Sequence, residues 1–469
     1  MGDLQSSNLE EWEDLLQEAS ESLGWSAYRY DRLDHGGCIR YPNRKASLVG
    51  SGHEITESWA KVFDLQYQRM LGVEEDTYVW RSSYDGSFIS QEEMGEWLSS
   101  CLRNVREVTS ENPTIMEIGC GNGLIYSKLI EVASHFVGLD TAPASLQALS
   151  EGKEYRENQN KTELFELEAG EIDRISCEPR DLVILNSVIQ YFPSMEYLID
   201  VIAKLEGYMA ENSILYLGDV RSMDLQELFC LDVARHKVEK AKVIERAERL
   251  FARERELLFS AHLFEAMPLL FDWIDSCQVR VKRGRFGNEM SRYRYEVILR
   301  CKTPEKPTAV RARFEDVGSE EITAEMLEDL LSGVNRGEGL VLENIANERL
   351  EEVVRFRSDL EGEGQPDQYG PKIGVLPVDS VFEICESFPN LEIDLGNDTR
   401  NPGKLRICAA HKGEKVDQST QSRPLEDYAS CVSRNEILPL DAFLGKDERF
   451  DPLRELPSQC VSPALLRLP

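Results

Sequence analysis

The chain has 469 residues and 41% hydrophobic side chains, enough for about two or three globular domains with sizeable cores. Its 85 acidic and 53 basic side chains leave a formal charge of −32, which argues against a sequence-independent grip on nucleic acid and against docking on an anionic bilayer. The 11 cysteines stand singly without a C-x-x-C pair and the six histidines are scattered, so neither a disulfide framework nor a metal centre is expected, and a reducing, cytoplasmic compartment is. No stretch approaches the ~20 continuous apolar residues of a membrane span.

Residues 1–56 read as an N-terminal extension that begins acidic and amphipathic, unlike a secretory or transit peptide. "MGDLQS" fits the loose N-myristoylation pattern through Gly2 and Ser6, but no polybasic second signal follows. Helical spacing then appears in "ESWAKVFDLQYQRML", from Glu57 to Leu71, and in "SQEEMGEWLSSCLRNVREV", where Ser90 and Glu93 make a capping-box pair. An aromatic-rich loop, "YVWRSSYDGSFI", lies between them. From residue 113 short apolar runs alternate with helical stretches: "TIMEI", "SHFVGLD", "TELFELEA", "RDLVILNS" and "NSILYLGD" are five predicted strands. Such alternation predicts an α/β unit around a mostly parallel sheet. A long charged helical stretch, about 223–267, reads as a lid inserted after the fifth strand. "CQVRVKRG" and "YRYEVILRC" add two strands and close this unit, 57–302. "CKTPEKPTA" reads as a linker into a smaller α+β unit, 303–412, and 413–469 as a polar, proline-punctuated tail.

The stretch "IMEIGCGNG", Ile115 to Gly123, carries the chemistry. Glycines at 119, 121 and 123 form a bare turn between a strand and a helix, where the backbone can approach a ligand. Asp140 ends the second strand, where an acid is placed to accept both hydroxyls of a ribose. A dinucleotide site would use G-x-G-x-x-G and set a pyrophosphate on the helix N-terminus. Here the spacing is G-x-G-x-G, and Glu117 stands two residues before the first glycine, where it would repel phosphate and favour a cation. S-adenosylmethionine, with a sulfonium, an α-ammonium and no phosphate, fits best; NAD or FAD and a turn that binds nothing are the other readings.

Around this run the chain resembles the S-adenosylmethionine-dependent methyltransferases, specifically the N-methyltransferase domains embedded in nonribosomal peptide synthetases. The matching segments are "WRSSYDG" with the following "EEM", "MEIGCGNG", "FVGLD", "LNSVIQYFPSMEYL", "GDVRS", "ELLF" and "NEMSRYRYEVIL". "LVLENIANERL" is similar to the family's C-terminal subdomain, so the likeness covers roughly 57–412. It implies a class I, Rossmann-like seven-stranded sheet. No AMP-binding run or carrier motif is visible, so the chain reads as a free-standing enzyme descended from such a domain.

The resemblance also implies roles. Glu117, Gly119, Gly121, Gly123 and Asp140 surround the donor, and Glu171 reaches its adenine amino group. Asn186 and Ser187 end the fourth strand beside the methyl group, with Gln190 and Tyr191 orienting the acceptor. Asp219 and Arg221, salt-bridged to each other or facing the acceptor, end the fifth strand; Tyr84 covers the site, and Glu256 on the lid is a candidate proton acceptor. His236 and His262 are weaker candidates for a base. The expected activity is N-methylation of an amino-acid or peptide-like metabolite, free or carrier-bound, in secondary metabolism, with a biosynthetic partner enzyme possible and neither nucleic acid nor membrane involved. O- or C-methylation of a small molecule, and a degenerate domain acting as a binding partner in a biosynthetic complex, are the alternatives.

Overall fold

A computed structural model of the chain describes residues 80–417 apart from 253, 255, 305–306, 318–321, 361–374 and 399–400, together with 56, 59–64 and 67–68. The myristoylation pattern and most of the expected extension and tail lie outside the described residues.

Seven strands form the main sheet: β1 (Thr114–Ile118), β2 (His135–Asp140), β3 (Thr162–Glu166), β4 (Arg180–Asn186), β5 (Met209–Arg221), β6 (Ile274–Val281) and β7 (Arg294–Cys301). Their order is β3-β2-β1-β4-β5-β7-β6, parallel from β3 to β5, with β7 antiparallel to both β5 and β6. This is the class I methyltransferase fold. The strands are apolar along their length because both faces are covered. Met116, Ile118, Val137, Leu139, Val183 and Leu185 belong to one core, and the alternate residues Ile115, Phe136, Leu182 and Ile184 to the other. Helix α1 (Gln91–Val108) covers the second face with Met94, Trp97, Leu98 and Cys101. Its capping box forms as expected, Glu93 N–H donating to Ser90 Oγ at 3.2 Å and Ser90 N–H to Glu93 Oε2 at 3.1 Å. Helix α2 (Pro143–Glu151) follows β2, and α3 (Met195–Leu205) lays Leu198, Ile199 and Ile202 on the first face.

Strand order reverses between β1 and β4. Side chains and loops at their C-terminal ends therefore diverge and leave a crevice.

The insertion differs from the expected long helical stretch. It is broken into α4 (Gln226–Lys237) and α5 (Val243–Ala252), and 256–259 then runs extended. Phe259 N–H donates to Arg221 O at 3.0 Å and Met223 N–H to Phe259 O at 3.1 Å, fixing this run beside the end of β5. Phe259 is fully buried there, between Phe264 and Tyr295. Leu228, Leu231 and Val243 of the insertion pack on Leu350 and Val353, away from the crevice.

A second sheet has five strands in the order β10-β11-β9-β8-β12. They are β8 (Thr308–Asp316), β9 (Glu338–Ala346), β10 (Leu391–Asn397), β11 (Lys404–His411) and β12 (Glu414–Asp417). Strand β8 starts inside the segment expected to be a linker, and β12, beyond the expected end of the unit at 412, pairs with it in parallel. The edge strands β6 and β10 meet through side chains, Gln278 Nε2 donating to Glu392 Oε1 at 2.7 Å. A Cβ at Gly396 would stand 2.9 Å from the Val279 carbonyl, so this contact needs glycine. No described helix is long and apolar enough to cross a membrane.

Candidate active site

The crevice between β1 and β4 holds a cavity lined by Glu117, Gly119, Gly121, Asp140, Asn186, Ser187 and Tyr191. Seven of the residues singled out in the sequence, distant along the chain, thus face one space.

The glycine turn is tied to β2 by Gly119 and Cys120, whose N–H groups both donate to Leu139 O, at 2.7 and 2.9 Å. Gly121 has φ +53°, and its N–H donates to Asp140 Oδ2 at 2.8 Å. A Cβ at Gly121 would stand 2.9 Å from the Tyr67 hydroxyl, and one at Gly119 2.4 Å from Val188 Cγ2. Gly123 does not line the cavity: a Cβ there would meet Leu149 at 2.8 Å, so its bareness serves the packing of α2 on the turn.

Two acids at the ends of β1 and β2 face the cavity. Glu117 is 3% exposed, and its Oε2 has no hydrogen-bond partner among the described residues. Burial, and then the neighbouring Asp140, push its carboxyl well above the ordinary carboxylate range. Asp140 accepts from Gly121 N–H and, through Oδ1, from Ala142 N–H at 2.8 Å; burial still raises its carboxyl, against those bonds. Two buried acids, one of them raised further by the other's charge, are matched by a ligand that brings positive charge.

At the end of β4, Asn186 is 7% exposed, and neither Nδ2 nor Oδ1 has a partner among the described residues. Its amide occupies the room left by Gly218, where a Cβ would fall 1.9 Å from Asn186 Oδ1. Ser187 follows in the left-handed region at φ +57°, a conformation unusual for a side-chain-bearing residue and frequent at functional sites. Gln190 lies beneath the cavity, donating from Nε2 to Ser187 Oγ at 3.0 Å.

Besides Gly123 and Gln190, five expected site residues stand outside the lining. Glu171 caps the 3₁₀ turn Ala169–Arg174 and pairs with Arg174 at 2.7 Å, while Glu168, three residues earlier, lines the cavity. Tyr84 donates its hydroxyl to the buried Asp232 at 2.7 Å, bracing α4. Asp219 and Arg221 do not pair with each other. Asp219 meets Arg294 and, at 3.3 Å, Lys282; Arg221 pairs with Glu254 at 2.5 Å and Glu256 at 2.8 Å. Burial tends to raise the Asp219 carboxyl, but the two cations outweigh it and hold it down to about 2. Its stabilising contribution is therefore present above about 4 and lost as pH falls toward about 2. Glu256 sits on the extended run, held by Arg221, and its charge reaches the Tyr191 hydroxyl. His236 accompanies Tyr84, and His262 packs with Glu265 at 3.0 Å; neither lines the cavity.

The cavity's cover was not foreseen. Trp59, Phe63 and Tyr67, spaced four residues apart on one helical face, close it from the N-terminal side. Tyr67 accepts at its hydroxyl from Asn122 N–H in the glycine turn, and Asp64 Oδ1 accepts from Ala144 N–H at the start of α2 at 2.8 Å. Trp97 of α1 lines the cavity as well. The helical period of 57–71 was legible, and its aromatic face was the available signal.

Residues 109–251 match a family described as a methyltransferase domain, and they hold β1 to β5 with the glycine turn. The chain carries a methyltransferase domain. The resemblance of its motifs implies S-adenosylmethionine as the donor of this domain. Over 256 residues the chain is 31% identical to a probable non-canonical nonribosomal peptide synthetase of Salinispora arenicola, a stretch that is 54% of this chain and 3% of that protein. It is 32% identical over 267 residues to the beauvericin nonribosomal cyclodepsipeptide synthetase of Beauveria bassiana, covering 53% of this chain and 8% of the relative. A longer match, 27% over 390 residues, covers 77% of this chain and 15% of the nonribosomal peptide synthetase asqK of Emericella nidulans. The chain thus spans only a small part of these curated relatives. Among solved structures, the N-methyltransferase NodS of Bradyrhizobium japonicum, with bound S-adenosyl-L-homocysteine, superimposes on 52% of this chain and 99% of its own, at 13% identity and a TM-score of 0.34.

The residues present fit the donor. An unpartnered buried carboxylate oxygen at Glu117 meets a cation's need, and the methyltransferase domain's Asp140 stands at the strand end beside a bare turn. Because Asp140 also holds Gly121, Asp140→Ala removes a ribose acceptor and loosens the turn together. Donor affinity should fall about 30-fold, or about 2 kcal/mol, by calorimetry; unchanged affinity would refute the assignment.

Proposed function

We propose that the chain N-methylates an amino-acid or peptide-like acceptor, free or carrier-bound, in secondary-metabolite biosynthesis. The observation that carries this reading is the character of the acceptor side. Among the described residues, the cavity lining contains no histidine, lysine or arginine, and the end of β4 offers the neutral, unpartnered amide of Asn186. When bound, S-adenosylmethionine supplies a methyl carbon already activated by its sulfonium. The protein's share is then to hold the acceptor at near-attack distance and exclude water. An amine needs only to shed a proton to solvent or a weak base, whereas a hydroxyl would call for a positioned strong base. Asn186 orients the amine, and Tyr191 walls it. The relatives' names, all peptide synthetases, support an aminoacyl or peptidyl acceptor. Neither nucleic acid nor a membrane belongs to this reading.

The test is mass spectrometry of candidate amino-acid and aminoacyl-thioester acceptors after incubation with isotopically labelled donor, with the label expected on nitrogen. Label on oxygen or carbon would overturn the reading. In the same assay Asn186→Ala and Tyr191→Ala, which removes the walling ring, should lower turnover while donor affinity stays within about a factor of two, roughly 0.4 kcal/mol. Glu256→Gln should leave the shape of the pH–rate profile intact, because Arg221 already holds that carboxylate. A defect that shrinks as pH rises would instead make Glu256 the proton acceptor.

A further inference from the structure

We propose that Trp59, Phe63 and Tyr191 form a specificity wall that takes the bulky, uncharged side chain of the acceptor, aromatic or branched aliphatic; this rests on the aminoacyl N-methylation reading above. Trp59 and Phe63 lie 4.8 and 4.9 Å from the Tyr191 ring, centroid to centroid, and 6.2 Å from each other. All three line the cavity that also holds Asn186. The Tyr191 hydroxyl lies near Gln190, Glu256 and Arg294, none of which lines the cavity. Trp59 and Phe63 are only half-buried, so apolar surface at the cavity remains to be covered by an occupant.

Charge points the same way. The cavity's acids are Glu117 and Asp140 at the ends of β1 and β2, on the donor side, and Glu168 after β3. A lysyl, arginyl or glutamyl side chain set among the three rings would lose its hydration, ring faces repay a cation only in part, and the nearest charges, Glu256 and Arg294, lie outside the lining and are already held by Arg221 and Asp219. Aromatic and branched side chains gain offset or edge-on ring contacts and lose water from both surfaces. The wall is positioned from the donor side. Asp64 caps α2 and Tyr67 accepts from the glycine turn, and the same helical face carries Phe63 and Trp59 one and two turns earlier. Trp59 and Phe63 thus determine specificity without touching the reacting atoms.

The experiment uses the full chain saturated with S-adenosyl-L-homocysteine, titrated calorimetrically with phenylalaninamide, leucinamide and lysinamide. The first two should bind at least tenfold more tightly than the third. Trp59→Ala and Phe63→Ala should each weaken phenylalaninamide by at least tenfold with donor affinity within twofold of wild type, and Trp59→Phe should restore most of the loss. Equal binding of lysinamide would overturn the proposal. So would a parallel loss of donor affinity in both alanine variants, which would make the rings a cover for the donor alone. If the amides bind in the expected order yet none acquires methyl label from the donor, the wall stands and the N-methylation reading fails.

Discussion

Gly121→Val should abolish donor binding, lowering affinity by more than about 100-fold, or about 2.7 kcal/mol, while the protein stays folded. Two effects act together. The backbone at Gly121 sits at φ +53°, where a β-branched residue is strained by roughly 1–2 kcal/mol. The first added carbon would also lie 2.9 Å from the Tyr67 hydroxyl, and the Val methyls reach further into the cavity. Relief requires the turn to give up either its bond to Asp140 or its contact with Tyr67, and both shape the donor's space. The main core does not depend on this residue: the strands on either side are fixed by Ile115, Met116, Ile118, Val137 and Leu139, all at most 2% exposed. Calorimetry with S-adenosylmethionine and a thermal melt on the same sample check the claim. Near-normal donor affinity would mean that the turn is not the cradle.

The donor half of the site was legible because its geometry is local. A strand, a bare turn and a helix follow one another from Ile115 onward, and the acid two residues before the first glycine told against phosphate. Both depend on backbone positions that sequence spacing fixes. The acceptor half was less legible because it depends on which charges find each other across long separations. Asp219 and Arg221 are two residues apart and of opposite sign, yet their ion pairs went to partners 33 to 75 residues away. Arg221 recruited Glu254 and Glu256, so the run carrying Glu256 is tied beside the end of β5. Trp59, Phe63 and Tyr67, which cover the cavity, have a four-residue spacing that reads equally well as an ordinary core stripe. In the second sheet β12 has four residues, and β8 opens among prolines and lysines, so neither offered the apolar run that marks a strand.

Glu117→Gln should weaken the donor and strengthen the free protein, and the opposed signs make the test specific. Glu117 is buried with one oxygen unpartnered, and burial followed by the charge of Asp140 raises its carboxyl. In the free protein such a group holds its proton more tightly than in the unfolded chain. Stability is thus given up as pH climbs from the ordinary carboxylate range through the raised value. A glutamine does not titrate and avoids that loss, so the melting temperature at neutral pH should rise. A cationic donor reverses the balance, since its positive charge favours the carboxylate. Wild-type affinity should therefore weaken as pH falls below the raised free-state value, where the proton competes with the ligand, and level off above it. In Glu117→Gln the charge-assisted bond is gone: affinity should be lower by about 2 kcal/mol at high pH, and the difference should shrink toward acid. Donor titrations across pH 5 to 9 with melts at each pH read both effects. A variant that lost melting temperature along with donor affinity would show that Glu117 serves the core of β1 and not the ligand.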